Sequence, residues 1–480
     1  MENKHHFHRS LTLLDGALLV MGSMIGSGIF IVSSDIARNV GSAGWLIAVW
    51  LISGFITLTA ALSYGELSGM FPKAGGQYVY LREAYGKLYG FLYGWAFFAV
   101  IQTGTIAAVA VAFGKFAGYL FPSLGDGNVL YGPVDLGFIK DFKISAAQLT
   151  GIVTIVLLTL INSSGVKSGK WIMFVFTFAK ILAMAALIGF GFMMFKDAGI
   201  WHGNWDAAWM AKKITTAPGV ISHQSLSGSS LIIALGVAMV GALFSSDAWN
   251  NVTFIAGEIK RPERNIGLSL FIGTLVVTLL YVSMNLMYLN VMSISEIANA
   301  PSDRVALAAA LKIFGTVGTS FIAILIMVST FGCNNGLILS GARVYYTMAH
   351  DGLFLPVAGK LNNSGVPRNA LWMQCLWACL LCLSGQYGNL LDFIIFTVLL
   401  FYILTILGVF KLRKTAPDHP RPYKAFGYPF IPALYIVLAA TICIILLFYK
   451  PEYTWPGLII VLIGIPIYYT IKKKSGSDQL

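Results

Sequence analysis

The segment GSMIGSGIF, at residues 22–30, lies inside an apolar run that extends over residues 11–37. Three of its nine residues are glycine and two are serine. Glycine weakens a helix and lets the backbone approach a neighbouring group closely. Because these residues stand at the centre of a run long enough for one apolar helix, the segment predicts a helix that is interrupted halfway along its length.

The composition of the 480-residue chain indicates an all-α membrane protein. Hydrophobic residues make up 57% and charged residues 11%, whereas soluble domains average about 45–50% apolar and about 25% charged residues. A helix needs about 20 apolar residues to cross a bilayer. Twelve runs are predicted as transmembrane helices, at residues 11–37, 43–71, 88–121, 144–161, 171–195, 229–255, 266–292, 315–346, 370–384, 390–412, 430–449 and 455–471.

The distribution of lysine and arginine predicts the orientation of these spans. With a cytoplasmic N-terminus, 21 of the 32 basic residues fall on the cytoplasmic side and 9 on the opposite side. An excess of basic residues in cytoplasmic loops is typical of membrane proteins. The net charge of +12 is therefore explained without nucleic acid, and a multi-pass protein of the cell membrane with both termini in the cytoplasm is expected.

A second interruption, FSSDAWNN at residues 244–251, lies as deep in the sixth span as GSMIGSG lies in the first. Two sets of five spans match in length, and an odd number of spans inverts the second copy, as in transporters with inverted repeats. The predicted organisation consists of an N-terminal tail at residues 1–10, a first repeat at 11–196, an extracellular loop at 197–227, a second repeat at 228–414, two additional helices at 415–471 and a C-terminal tail at 472–480.

Unwinding at the first break predicts a site for a small zwitterion. It frees backbone N–H groups near Ser27 and Gly28 and backbone carbonyls from Ser23 to Ile25, on either side of Gly26. Helix dipoles make the N–H end attractive to a carboxylate and the carbonyl end attractive to an ammonium group. A helix-packing face built from small residues is the alternative interpretation.

Two charged residues inside predicted spans are further candidates, because charges within a bilayer are costly and usually paired or functional. Lys180 lies within span five, where it either approaches the first break or extends its ammonium group to the membrane surface. Asp247 lies in the second break, where it either accepts a hydrogen bond from a cationic group of the substrate or caps the following half-helix.

Several long motifs are similar to those of the amino acid–polyamine–organocation superfamily, specifically its L-amino acid transporter branch. They are GSMIGSGIF, SYGELSGMFPKAGGQYVYLREAYG, FSSDAWNNVTFIAGEIKRPERNI, SGARVYYTMAHDGLFLPVAGKLN and RPYKAFGYPFIPALY. The resemblance covers nearly the whole chain in register. It implies the LeuT fold, with a 5+5 inverted repeat, two additional helices and broken helices 1 and 6.

The resemblance also implies roles for the residues at the two breaks. Positions matching Ser23, Met24, Ser27 and Gly28 hold the substrate's carboxylate and amino groups. Phe244 matches an aromatic gate over the ligand. Positions matching Ser245, Ser246 and Asp247 line the site beside that gate. Lys180 matches a lysine that takes the place of a sodium ion, which implies sodium-independent transport.

The function implied is therefore secondary transport of small or large neutral L-amino acids by exchange. Proton-coupled symport through Lys180 and exchange of cationic amino acids, which Asp247 would permit, are the alternatives. An enzyme is not expected, since no catalytic constellation is found, and no cofactor or metal is expected. Animal relatives join a heavy subunit through a cysteine between spans three and four; residues 120–143 contain no cysteine, so no disulfide-linked heavy subunit is expected.

Overall fold

The computed structural model describes residues 9–135, 142–164, 169–195, 197–217, 220–384 and 387–477. Residues 1–8 and 478–480 of the predicted terminal tails lie outside this part of the chain. The helices of the described part are α1 Leu13–Met24, α2 Gly28–Ile31, α3 Ser33–Val40, α4 Ala43–Met70, α5 Gln77–Tyr85, α6 Lys87–Ala96, α7 Gln102–Leu120, α8 Ala146–Ser163, α9 Gly169–Met194, α10 Ala198–Trp205, α11 Gly228–Ser245, α12 Asn251–Phe254, α13 Pro262–Val291, α14 Ile294–Ala298, α15 Val305–His350, α16 Arg368–Ser384, α17 Tyr387–Thr415, α18 Phe430–Tyr449 and α19 Pro451–Ser477.

Two antiparallel hairpins and five short segments of other helix types complete the described elements. The hairpins pair β1 Val129–Val134 with β2 Phe142–Ser145, and β3 Lys212–Ala217 with β4 Val220–Ser225. The short segments are a π-helix at Phe97–Ile101 and 3₁₀ turns at Pro122–Leu124, Ala256–Glu258, Pro301–Asp303 and Pro356–Gly359. The sequence predicted no strand where the two hairpins lie, and its fourth predicted span began at residue 144, within β2.

Eleven helical segments of the described chain are long and apolar enough to cross a membrane. The predicted multi-pass helical fold is therefore confirmed, with two differences of length. Helix α16, which corresponds to the ninth predicted span, has 17 residues and is not among the eleven. Helix α15 is longer than predicted, at 46 residues, and Gly315 interrupts it with φ +67°; the predicted eighth span began at this interruption.

Both predicted breaks are present in the structure. Helix α1 ends at Met24 and α2 begins at Gly28. Helix α11 ends at Ser245 and α12 begins at Asn251. The start of α1 is also fixed locally, because Thr12 and Asp15 cap it reciprocally in a capping box.

The helices pack in two groups around the first and third spans. Helix α13 packs against α1 and α4, and α11 packs against α4. Helix α7 packs against α8, α15 and α16. The spans Leu13–Ile31 and Lys87–Leu120 are almost completely buried by protein. The division of the chain into two inverted repeats of five spans stays a prediction.

Glu66 joins these elements at the end of the molecule where α1 begins. Its carboxylate is completely buried and accepts two hydrogen bonds from Arg413, at 3.0 Å and 2.6 Å. It also accepts a hydrogen bond from the Ala425 backbone N–H at 2.7 Å, and the Nε of Arg421 lies 3.3 Å away. One buried carboxylate thus connects α4 to α17 and to the chain that leads into α18.

We expect Glu66→Gln to lower the free energy of unfolding by about 3–5 kcal/mol, because breaking a buried ion pair leaves uncompensated charge on its partner. A thermal melt of the purified protein in detergent measures this change. Glu83→Gln is the matched control, since Glu83 is 37% exposed in its pair with Arg82 and such surface pairs contribute about 0–1 kcal/mol. Equal melting temperatures for the two variants would contradict the assigned role of Glu66.

Candidate functional site

Each glycine of the first break faces a different helix. A Cβ added to Gly22 would lie 2.4 Å from the Thr177 Oγ1 of α9, and one added to Gly26 would lie 3.0 Å from the Cys333 Sγ of α15. A Cβ added to Gly28 would lie 2.0 Å from the Ser245 Oγ of α11. The glycines therefore let three helices reach the break, so the break and the close packing of helices coexist here.

The carbonyl end of α1 is capped by side chains from three other helices. Lys180 of α9 donates hydrogen bonds to the carbonyls of Gly22 and Ile25, at 2.7 Å and 2.8 Å. Three more side chains donate hydrogen bonds to backbone carbonyls here: Cys333 to that of Ser23 at 3.2 Å, Tyr281 to that of Met24 at 2.9 Å, and Ser329 to that of Ile25 at 3.4 Å. The four carbonyls that a helix leaves unsatisfied at its end are thus occupied.

This arrangement changes one expectation from the sequence. Unwinding was expected to leave the carbonyls near Ser23 and Ile25 available to the ammonium group of a ligand. In the structure, the ammonium group of Lys180 already lies against them, and Lys180 is only 2% exposed. The side chain therefore approaches the break instead of extending to the membrane surface.

Tyr281 of α13 connects the two breaks and was missed by the sequence analysis. Its hydroxyl lies 2.9 Å from the Met24 carbonyl and 3.0 Å from the Ser245 carbonyl, and donates to this pair of acceptors. One further turn along α13, Asn285 accepts a hydrogen bond of 2.6 Å from Ser33. The signal available in the sequence was the presence of polar side chains inside an apolar span, which usually have a partner or a function.

The second break contains a strained position and a buried carboxylate. Ala248 has φ +61°, a conformation that side-chain-bearing residues rarely adopt. Asp247 accepts a hydrogen bond of 2.6 Å from the hydroxyl of Tyr402 on α17. The N-cap residue of α12 is Asn250, so the carboxylate of Asp247 is held by α17 and does not occupy the capping position.

All eleven residues predicted for the site are buried. They are Ser23, Met24, Ile25, Gly26, Ser27, Gly28, Lys180, Phe244, Ser245, Ser246 and Asp247. The structure brings Gly28 against Ser245 and Lys180 against the end of α1. Ser246 lies apart from that contact, 3.4 Å from the Ser53 hydroxyl of α4. The roles of these residues in binding stay predictions.

Two small cavities adjoin Asp247, and each has room for about one water molecule. Polar groups line the first, including the amides of Gln77 and Gln102. Mostly apolar side chains line the second, including Val398 and Leu399. The centre of the molecule is therefore closely packed around the two breaks in this conformation.

The hydroxyl of Ser23 is a buried polar group at the first break without a hydrogen-bond partner among the described residues. An unpaired polar atom in a protein interior costs free energy unless a water molecule or ligand satisfies it. Within the same part of the chain, no three His, Cys, Asp or Glu side chains are close enough to hold a metal ion.

Comparison with known proteins gives matches over nearly the whole chain. The family model described as amino acid permease matches residues 11–468. The chain is 30% identical to the serine/threonine exchanger SteT of Bacillus subtilis, over 98% of both chains. It is 28% identical to the human large neutral amino acids transporter small subunit 2, over 96% of this chain and 80% of the relative. The human cystine/glutamate transporter is also 28% identical, over 98% of this chain and 86% of the relative.

Proposed function

The chain belongs to the amino acid permease family, and from this premise we propose that it exchanges L-amino acids across the membrane by alternating access. The observation that carries the proposal is the contact of two interrupted spans halfway along their lengths, where Gly28 packs against Ser245 and Lys180 binds the end of α1. Discontinuous helices of this kind form substrate sites in secondary transporters. The name of the Bacillus subtilis relative, a serine/threonine exchanger, supports exchange over one-way transport.

The substrate's carboxylate is assigned to the start of α2. The first N–H groups of a helix have no acceptor within the helix, and those of Gly28 and Ile29 lie at the first break. The unpartnered Ser23 hydroxyl is buried at the same break. Together these groups supply donors for a small anion, while Phe244 of the adjoining α11 remains the proposed gate.

The substrate's ammonium group is assigned to the end of α11. The carbonyl end of a helix carries partial negative charge, and Ser245, Ser246 and Asp247 lie at or directly after this end. The carbonyl end of α1 is unavailable because Lys180 already supplies a positive charge there. A fixed lysine in that place removes the need for a sodium ion, so transport is proposed to be sodium-independent.

Neutral amino acids are the proposed substrates. Val398, Leu399 and Leu243 line the cavity on one side of Asp247, and an apolar lining favours an uncharged side chain. Two relatives support this class by name, the serine/threonine exchanger and the large neutral amino acids transporter subunit. Cationic amino acids are the second candidate, favoured by the buried Asp247 carboxylate itself.

We expect Asp247→Asn to raise KM about tenfold for leucine, serine and lysine alike, because a charge-assisted hydrogen bond contributes about 1.5–3 kcal/mol. The reason is that Asp247 faces the ammonium group common to all three. Tyr402→Phe, which keeps the carboxylate and removes only its hydrogen-bond donor, should change KM much less. A loss confined to lysine would instead identify Asp247 as a partner of cationic side chains.

A transport assay in proteoliposomes tests the proposed function. Radiolabelled amino acids, one at a time from the set of twenty, are added to vesicles that contain unlabelled leucine, serine or no amino acid. An exchanger takes up label only into loaded vesicles and ignores an imposed pH gradient. Uptake into empty vesicles that follows an acid exterior would favour proton-coupled symport, and absence of uptake for all twenty would refute amino acid transport.

The protein is also proposed to work without a heavy subunit and with both termini in the cytoplasm. All five cysteines are free in the structure; two lie in helices long enough to span a membrane and three lie in α16. The asymmetry of basic residues supports the orientation. Protease accessibility of a tag added at either end of the chain, in sealed spheroplasts and in lysed cells, tests the placement of the termini.

A further inference from the structure

The segment around the end of α17 concentrates positive charge at the end of the molecule where α1 begins. Residues 411–424 contain five basic residues and one acidic residue, Asp418. Two of the basic residues, Arg413 and Arg421, already lie against the buried carboxylate of Glu66. The other three form what we call the basic patch: Lys411, Lys414 and Lys424. With Glu66 and Asp418 both counted, the five cations leave a net charge of +3.

The lysines of the basic patch carry charge that the protein does not neutralise. All three are exposed, and none of them pairs with a carboxylate among the residues that the structure describes. The Lys411 ammonium group lies over the ring of Tyr85, 4.7 Å from its centroid. This cation–π contact orients the side chain but retains its charge. An anionic partner is therefore the chemistry that complements the patch.

Glu66 fixes the position of the patch within the fold. Its carboxylate binds the guanidinium group of Arg413 and the backbone N–H of Ala425. Lys414 and Lys424 are the immediate chain neighbours of these two residues. The patch therefore lies beside the buried contact that joins α4 to α17.

Apolar side chains that face outward adjoin the patch. Phe426, which follows Lys424 closely, is 69% exposed, and Phe430, the first residue of α18, is 80% exposed. Four more exposed apolar residues continue at helical spacing along α18: Leu434, Val437, Ile444 and Phe448. Aromatic and basic side chains together at the end of a membrane-spanning helix are typical of the level of the lipid headgroups.

We propose that the basic patch binds an anionic phospholipid of the cytoplasmic leaflet, and that this lipid increases the rate of exchange. The phosphate of the headgroup lies against Lys414 and Lys424, and the acyl chains extend along the exposed apolar face of α18. A dissolved phosphate compound has no acyl chains and can make only the first of these contacts. A second copy of this chain is a poorer occupant, because two patches of net positive charge repel each other.

The lipid is expected to act on the rate of exchange and not on substrate affinity. Alternating access moves one group of helices against another, and the contact of Glu66 with Arg413 joins α4 to α17. A lipid held beside this contact supports both helices, whereas none of the residues proposed to bind substrate belongs to the patch. This inference rests on the proposed function, because it names a lipid that regulates the same exchange.

The first test measures leucine exchange in proteoliposomes of phosphatidylcholine alone and of phosphatidylcholine mixed four to one with phosphatidylglycerol. Phosphatidylglycerol should raise the wild-type kcat at least fivefold and leave KM within twofold, since each lysine near the bilayer adds about a fivefold preference for anionic lipid. The variant Lys411→Gln/Lys414→Gln/Lys424→Gln should exchange at the same low rate in both vesicles. Phosphatidylserine should replace phosphatidylglycerol, and dissolved glycerol phosphate should not.

The matched control is Lys143→Gln/Lys212→Gln/Lys213→Gln, which removes the same formal charge from the two hairpins. It should respond to phosphatidylglycerol as the wild type does. If the patch variant elutes as an aggregate in gel filtration, Lys424→Gln alone takes its place and should bind phosphatidylglycerol about fivefold more weakly.

Native mass spectrometry with added phosphatidylglycerol measures the lipid without transport. The wild type and the control should retain one phosphatidylglycerol more per chain than the patch variant. Equal retention by all three, or equal wild-type exchange in both kinds of vesicle, would overturn the lipid site. A second chain retained in place of the lipid would assign the face of α18 to contact between copies and would overturn it as well.

The proposed function would survive each of these results, because wild-type exchange of leucine is measured in the same vesicles. A wild type that exchanges no amino acid in either kind of vesicle would refute the proposed function instead. The retained lipid would still decide, on its own, whether the basic patch binds phosphatidylglycerol.

Discussion

Replacing Lys180 with alanine is expected to reduce amino acid exchange at least 100-fold while the protein remains folded. The two hydrogen bonds of its ammonium group hold the carbonyls of Gly22 and Ile25. Hydrogen bonds to charged groups contribute about 1.5–3 kcal/mol each, and about 1.4 kcal/mol corresponds to a factor of ten. Losing both would leave the end of α1 without the charge that fixes the break. Leucine exchange in proteoliposomes measures the rate, and gel filtration checks the fold.

Lys312→Ala is the control for this prediction. Lys312 also donates to a backbone carbonyl, that of Val291, and forms an ion pair with Glu296 at 2.7 Å. It does so away from both breaks, so exchange should continue near the wild-type rate. Wild-type exchange by the Lys180→Ala variant at every pH from 5 to 8 would remove Lys180 from the mechanism.

Sodium provides a second measurement on the same variant. Wild-type exchange should be unchanged when choline replaces sodium, because a lysine already occupies the oxygen-lined end of α1. In Lys180→Ala, the carbonyls of Gly22 and Ile25 and the Ser329 hydroxyl are left to a small cation. Residual exchange should therefore increase with sodium. An equal response of both proteins to sodium would argue that Lys180 does not take the place of a cation.

The two breaks could be predicted from sequence because the residues that interrupt each helix lie together in one short segment. Glycine and serine in GSMIGSG, and the polar run SSDAWNN, cannot continue an apolar helix without cost. The approach of Lys180 to the first break was one of two alternatives, and only the fold distinguishes them. A charged side chain inside a span is usually paired with another group, but the sequence alone does not identify that group.

The features that the sequence did not reveal depend on contacts between distant segments. Tyr281 donates to carbonyls that lie 257 and 36 positions away in the chain, and Glu66 binds Arg413 across 347 positions. The hairpin of β3 and β4 was also missed, although Lys212–Ala217 and Val220–Ser225 pair in register. Strand preference depends strongly on tertiary context, and the pattern of apolar spans gave no indication of these two strands.

Knowing these contacts changes how the glycines of the first break are interpreted. From sequence, the packing face and the interrupted helix were competing explanations. In the structure both explanations apply to Gly22, Gly26 and Gly28, because each lets a different helix pack closely against the interrupted part of the first span. The site is thus built from backbone groups that glycine exposes and from side chains that glycine allows to reach them.

Gly28→Ala is expected to lower exchange about 100-fold. An added Cβ would lie 2.0 Å from the Oγ of Ser245 and 2.9 Å from its Cα. The hydroxyl can rotate away, but the Cα belongs to the backbone of α11, so α2 and α11 must separate. A displacement of about 1 Å in a functional site can cost about 100-fold in rate. Leucine exchange in proteoliposomes measures the loss, and a thermal melt reports the remaining stability.

Two further variants make this prediction specific to the place where the two breaks meet. Gly189→Ala adds the same Cβ to α9 at a position with open space around it, and it should exchange at the wild-type rate. Gly28→Ala combined with Ser245→Gly removes the clashing Oγ and Cβ but leaves the backbone of α11 just as near, so about tenfold of the lost rate should return. A double variant no faster than Gly28→Ala alone would mean that the loss does not arise from crowding against Ser245. Normal exchange by the single variant would separate the meeting of α2 and α11 from substrate transport altogether.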